Sequence, residues 1–252
     1  ENLRLQLEET MLHPPVRRNS HPLESQLILS QSLEWVQDKD LADPTQRDYK
    51  VILKKFYKWL NGNGEYPDKV EWIDTTKKKR NNKLPEKMLT EEDVEKLIKT
   101  AENPRDKAFI SMLWETGARI GELIDLTVGS IEDRKNGKKV VIKGKTGARR
   151  LPLVSSVPHI QNWLNNHPDK DNPDAPLWCR LTGRKAGGEV SYRYLTKMLK
   201  RVGERGDIDK PMNAHHFRHS RATYLSTRFK EAQMCEWFGW VQGVPDLPIT
   251  YT

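Results

Sequence analysis

From Leu23 onward, apolar side chains recur at helical spacing. Leu27, Ile28, Leu33, Trp35 and Val36 predict one helix. Tyr49, Ile52, Leu53, Phe56, Trp59 and Leu60 predict a second, which Thr45 caps and Gly62 and Gly64 stop. Before them, residues 1–22 carry Pro14, Pro15, Pro22 and scattered charges without a period, the composition of a weakly ordered arm. After them, Lys77, Lys78, Lys79, Arg80, Asn81 and Asn82 again lack any apolar period and read as a linker. The predicted organisation is therefore an arm over 1–22, a helical domain over 23–76, a basic linker over 77–87 and a second domain over 88–252.

The second domain opens with Thr90, Glu91, Glu92 and Asp93, a capping box in which the N-cap hydroxyl and the third-residue carboxylate satisfy each other's backbone donors. Val94, Leu97, Ile98 and Ala101 form the apolar face behind it. Pro104 suits a first helical turn, Ala108, Phe109, Met112 and Leu113 continue that helix, and Gly117 can end it. Arg119 then falls at a junction, just before a helix carrying Leu123. Lys139–Ile142 and Arg150–Val154 are β-type runs, and Gly144, Lys145, Thr146, Gly147 and Ala148 between them signal a hairpin turn. Helices are expected over Val157–Asn165, Tyr192–Val202, His215–Thr227 and Glu231–Phe238. The fold class is mainly α with a small antiparallel β-sheet, and no internal repeat is evident.

Composition narrows this picture. With 36% hydrophobic and 31% charged residues, the 252-residue chain reads as a soluble globular protein. Its longest apolar stretches are a few residues, and its start lacks the basic-then-apolar pattern of a secretory signal, so the expectation is an intracellular, cytoplasmic protein without membrane attachment. Cys179 and Cys235 are too few for a disulfide framework and lack CxxC spacing for zinc. A net charge of +8 favours a phosphate-rich partner. From Arg134 to Arg150 eight residues are basic (Arg134, Lys135, Lys138, Lys139, Lys143, Lys145, Arg149 and Arg150) and none is acidic, so the run does not neutralise itself.

Metal-free cleavage of a phosphodiester needs cations on the non-bridging oxygens, a nucleophile in line, and an acid for the departing oxygen. Three segments offer such groups: Thr116–Leu123 with Gly117, Arg119 and Glu122; Gly144–Gly147 with Lys145; and His215–Thr223 with Arg218. Arginine suits the first role because its planar fork donates two parallel hydrogen bonds and stays charged. Each residue has a plainer reading: Arg119 as an ion pair with Glu122, Lys145 as a phosphate contact, Trp240 as core. His215, His216 and His219 could suggest metal, but the i, i+4 pair lacks the Glu of a zincin motif. No metal or other cofactor is expected.

In their order, these residues resemble the tyrosine recombinase family of phage and archaeal integrases and Xer-type resolvases. The G-x-R-x-x-E-L context is present as Gly117, Arg119, Glu122 and Leu123, and H-x-x-R as His215 and Arg218. The resemblance implies a helical core-binding domain of SAM-like type followed by an α+β catalytic domain. It implies that Arg119 and Arg218 clamp the phosphate, with Glu122 supporting. On the same resemblance, Lys145, with Lys143 as fallback, would act on the leaving 5′ oxygen, and His215 would exchange a proton with the nucleophile. Trp240 in Phe238-Gly239-Trp240 would pack on the phosphate. Tyr251 in Ile249-Thr250-Tyr251-Thr252 would be the nucleophile, forming a 3′-phosphotyrosyl bond without ATP. The interval from Trp240 to Tyr251 is slightly long, which places a short insertion at Pro245–Pro248.

The expected partner is double-stranded DNA, on which copies of the chain would form dimers or tetramers, with Lys77, Lys78, Lys79, Arg80, Lys143, Arg149 and Arg150 as backbone contacts. For Lys77–Arg80 a merely solvated segment has the same composition. The family usually continues beyond the nucleophile into a further helix and this sequence begins with Glu, so a trimmed chain is expected. Two alternatives share these features: a DNA-binding relative without catalysis, and a type IB topoisomerase.

Overall fold

The computed structural model describes residues 22–62, 64–76, 85–135, 137–144, 147–184 and 186–241, without the side chains of 22–26 and Pro85. The expected N-terminal arm, Lys77, Lys78, Lys79, Arg80, Lys145 and Tyr251 lie outside the described residues, apart from Pro22 at the arm's end. The chain divides into two compact units, residues 1–82 and 83–252.

In the first unit, α1 (Pro22–Asp38), α2 (Asp43–Leu60) and the single turn α3 (Asp68–Glu71) gather around Leu29, Leu33, Tyr57, Val70 and Ile73. The buried stripe of α1 is Leu29, Leu33 and Val36 at i, i+4 and i+7, while Leu27 and Ile28 are exposed. The helix is where the pattern put it, but rotated relative to two of the residues that predicted it. α2 also begins earlier than Thr45: its N-cap is Ala42, which makes no side-chain cap bond. Pro44, whose ring presets the helical φ and needs no acceptor for an absent N–H, starts the helix instead. Arg47 Nε donates to Thr75 O at 2.8 Å and Lys54 Nζ to Glu71 O at 3.1 Å, tying α2 to the chain around α3.

The second unit is built round α5 (Pro104–Thr116). Phe109, Ile110, Met112 and Leu113 are fully buried on it, as expected of a helix covered on all sides. Its neighbours are α4 (Glu91–Thr100), α7 (Val157–Asn165) and α9 (Ala214–Ser226). The capping box at Thr90 and Asp93 is formed, Asn103 caps α5 by accepting from Asp106 N, and Gly117 ends it at φ 56. The remaining elements are α6 (Ile120–Ile124), α8 (Tyr192–Arg205) and α10 (Glu231–Phe238).

The sheet has three antiparallel strands in the order β1 (Ile131–Arg134), β2 (Gly137–Gly144) and β3 (Gly147–Leu153). β1 was not predicted: Ile131 is its one apolar residue, and backbone pairing to β2 makes it a strand. That pairing sets Glu132 opposite Lys139 and Asp133 opposite Lys138, with ion pairs of 2.7 and 2.6 Å. The basic run is thus partly neutralised by the strand preceding it, contrary to the expectation from composition. Glu115, buried at the end of α5, accepts from the backbone N–H groups of Val154, Ser155 and Ser156 at 2.8–2.9 Å and so anchors the start of α7. Trp178 donates from Nε1 to Leu123 O at 2.8 Å and meets Phe109 edge-on, which fixes the C-terminal end of α6 against the core. No described helix is long and apolar enough to cross a membrane.

Candidate active site

Four separate stretches of the second unit meet here. Gly117, in the left-handed conformation, turns the chain sharply out of α5 and sets Arg119 at the N-cap of α6. A Cβ on Gly117 would lie 2.5 Å from Phe238 Cε1, so the turn and the end of α10 approach as closely as backbone allows. Asn213 caps α9 by accepting from His216 N at 2.9 Å, and one turn along α9 comes Arg218.

The Arg218 fork bridges these parts. Nη1 donates to Gly117 O at 2.9 Å and Nη2 to Phe238 O at 2.7 Å, while the guanidinium lies over the rings of Phe238 at 5.0 Å and Trp240 at 5.6 Å. Only 7% of the residue is exposed. Burial pushes its pKa down to about 10, the charges of Arg119 and Arg149 add to that, and Glu122 opposes it. A cation this buried and this close to two others is held under electrostatic tension that an anion would relieve.

α10 ends on Gly239 at φ 64, with the Gly239 and Trp240 N–H groups both reaching back to Cys235 O. The carbonyls of Trp237 and Phe238 therefore point onward at the helix terminus, where cations are favoured, and each meets an arginine: Trp237 O accepts from Arg149 Nε at 3.0 Å. Trp240 stacks on Phe238 with ring centroids 4.6 Å apart and planes 17° from parallel.

Glu122 lies between Arg119 and Arg149. Its Oε2 accepts from Arg119 N at 2.9 Å and Arg149 Nη2 at 2.6 Å, and its Oε1 from Arg119 Nη1 at 3.0 Å and Arg149 Nη1 at 3.3 Å. Burial would push this carboxyl up, but the hydrogen bonds from Arg149 and Arg119 outweigh it and hold it below the usual carboxylate range. The Arg119 side chain stays 48% exposed, against 7% for Glu122 and 9% for Arg149.

The structure thus brings together Arg119, Glu122, Arg218 and Trp240. His215 is exposed one turn before Arg218, and its Nε2 is 2.8 Å from Nε2 of His219, a pair in which one ring donates and the other accepts. Lys143 and Arg150 are exposed on the outer face of the hairpin. Arg149 differs from expectation: expected at the DNA backbone, it turns its guanidinium inward onto Glu122. The signal was present in the sequence, because Arg149 shares strand parity with the buried Leu151 and Leu153, whereas Arg150 faces away. Glu115 was not foreseen at all, since its role depends on backbone donors at Val154–Ser156.

This fold has known counterparts. The model of the phage integrase family matches residues 87–235. A tyrosine recombinase of Synechococcus elongatus is 34% identical over 127 residues, covering 49% of this chain and 39% of that protein. Tyrosine recombinase XerA of Pyrococcus furiosus is 33% identical over 156 residues, covering 59% and 52%. This chain therefore spans about half the length of these relatives. Among solved structures, the post-cleavage complex of the XerH recombinase bound to palindromic difH substrate superposes with a TM-score of 0.67 at 22% identity, covering 85% of this chain and 65% of that one. A lambda integrase tetramer on a Holliday junction gives 0.65 at 13%, covering 87% and 65%. Since the family model takes in more than half of the residues, including the segments that carry both arginines, the chain belongs to the phage integrase family.

Proposed function

We propose that this chain is a site-specific DNA recombinase that breaks and rejoins strands without metal or ATP. Arg119 and Arg218 hold the non-bridging oxygens of the scissile phosphate. Tyr251 attacks phosphorus: the Tyr251 O–P bond forms, the P–O5′ bond breaks, His215 takes the phenolic proton, and Lys145 protonates the departing 5′ oxygen. Attack by a 5′ hydroxyl on the 3′-phosphotyrosyl bond reverses these steps and rejoins the strand, with the energy of the original bond retained. Trp240 packs beside the phosphate. The first unit serves as a core-binding domain that clamps duplex DNA together with the catalytic unit, and Lys143 and Arg150 contact the backbone, as does the Lys77–Arg80 linker.

The observation that carries this reading is Arg218, buried beside Arg119 and Arg149 with its pKa pushed down to about 10. Such a group stays charged at neutral pH and is ready for a dianionic transition state. The solved proteins of this fold include a tetramer on a Holliday junction and a post-cleavage complex with palindromic difH substrate, which supports DNA as partner and self-association on it. A nicked suicide duplex carrying the target site should trap a covalent protein–DNA adduct, and Tyr251→Phe should abolish it. DNA binding without any adduct would favour a non-catalytic relative, and relaxation of arbitrary supercoiled plasmid would favour a topoisomerase.

A further inference from the structure

The position of Arg149 raises an electrostatic question. A single carboxylate paired with Arg119 would neutralise it, leaving little charge to attract phosphate, yet Glu122 is buried, ionised and bonded to Arg119 through both its backbone N–H and its guanidinium. Arg149 resolves this. It takes both oxygens of Glu122 in a two-pronged contact, with the shorter bond at 2.6 Å, and is itself almost fully covered. The three residues together carry one net positive charge, and the exposed member of the set is Arg119. Arg149 Nε, donating to Trp237 O at 3.0 Å, fixes the same guanidinium to the terminus of α10, so strand β3, helix α6 and the segment leading to Trp240 share one anchor.

We infer that Arg149 is a positioning residue: it offsets the charge of Glu122 and holds that carboxylate in place, so that Arg119 meets the phosphate with its own charge uncompensated. Arg149 itself does not touch DNA. This rests on the proposed phosphate clamp, but not on cleavage.

The test follows the Arg119 and Arg149 Nε–H signals by proton–nitrogen NMR during titration with inorganic phosphate. In the wild-type chain, phosphate should shift the Arg119 signal and leave that of Arg149 in place. In Arg149→Ala the phosphate affinity read at Arg119 should fall about tenfold or more, the size of one charge-assisted hydrogen bond. In Arg149→Ala combined with Glu122→Gln, which removes the uncompensated negative charge, most of that affinity should return. Such a rescue would not follow from a merely structural role. Arg149→Lys, which keeps the charge but not the fork, should lie between wild type and Arg149→Ala. A phosphate-dependent shift of Arg149 itself, or an Arg119 response unchanged in Arg149→Ala, would overturn the inference. So would equal loss in the single and double variants. A wild-type chain that binds phosphate at Arg119 but forms no adduct with nicked DNA would refute the recombinase reading and leave this inference standing.

Discussion

A single methyl group placed on Gly144 should disturb the site through Glu122. Gly144 lies on β2 with a backbone conformation outside the left-handed region, so alanine meets no intrinsic strain there. Its Cβ, however, would lie 2.5 Å from Glu122 Oε1 and 3.3 Å from Arg149 Nη1. Ordinary contact requires the carboxylate to retreat by about 1 Å. It is not free to do so, because Arg119 N, Arg119 Nη1 and both terminal nitrogens of Arg149 hold it. Stretching one or two such bonds, each worth about 1.5–3 kcal/mol, and regaining about 0.5–1 kcal/mol from the stiffer unfolded chain, leaves a net destabilisation of about 1–3 kcal/mol. Urea unfolding measures this directly, and thermal unfolding should fall by about 2–4 °C per kcal/mol. Single-turnover cleavage should slow by about tenfold or more through loss of Arg119 alignment. In a Glu122→Ala background, where the obstructing carboxylate is gone, Gly144→Ala should cost almost nothing. Stability within about 0.5 kcal/mol of wild type, with cleavage intact, would refute the reasoning.

Two further outcomes follow from the same geometry. Arg218→Lys keeps a cation but cannot bridge Gly117 O and Phe238 O at once, so it should lose about 1–3 kcal/mol of stability in urea unfolding and most cleavage activity, with DNA affinity in a gel-shift assay changed far less. Glu122 has a folded pKa below its unfolded value, so its contribution is complete above the ordinary carboxylate range and is lost as pH falls through the lowered value. Acid unfolding followed by circular dichroism should therefore show a shallower loss of stability below about pH 4.5 in Glu122→Gln than in wild type.

Where local signals were strong, the sequence was legible. The capping box at Thr90 and Asp93, and Pro104 with Gly117 bounding α5, were readable because cap chemistry and apolar period agreed. β1 was not, because Ile131, Glu132, Asp133 and Arg134 have no strand pattern of their own and take it from pairing with β2. At the start of α2, Thr45 offered a cap, but Pro44 had already fixed the helix. In the site, motif order along the chain singled out Arg119, Arg218 and Trp240, which four separate stretches of the second unit bring near one another. The inward turn of Arg149 was legible only through strand alternation with Leu151 and Leu153, and charge counting along the run obscured it.

The proposed chemistry requires two guanidinium groups to serve one oxyanion. Crystals grown with tungstate, whose metal scatters anomalously, give the most direct view of it. One anomalous peak within hydrogen-bonding reach of both Arg119 and Arg218 is the predicted result. Peaks at separate sites for the two arginines, or a peak that Arg218 does not touch, would contradict it.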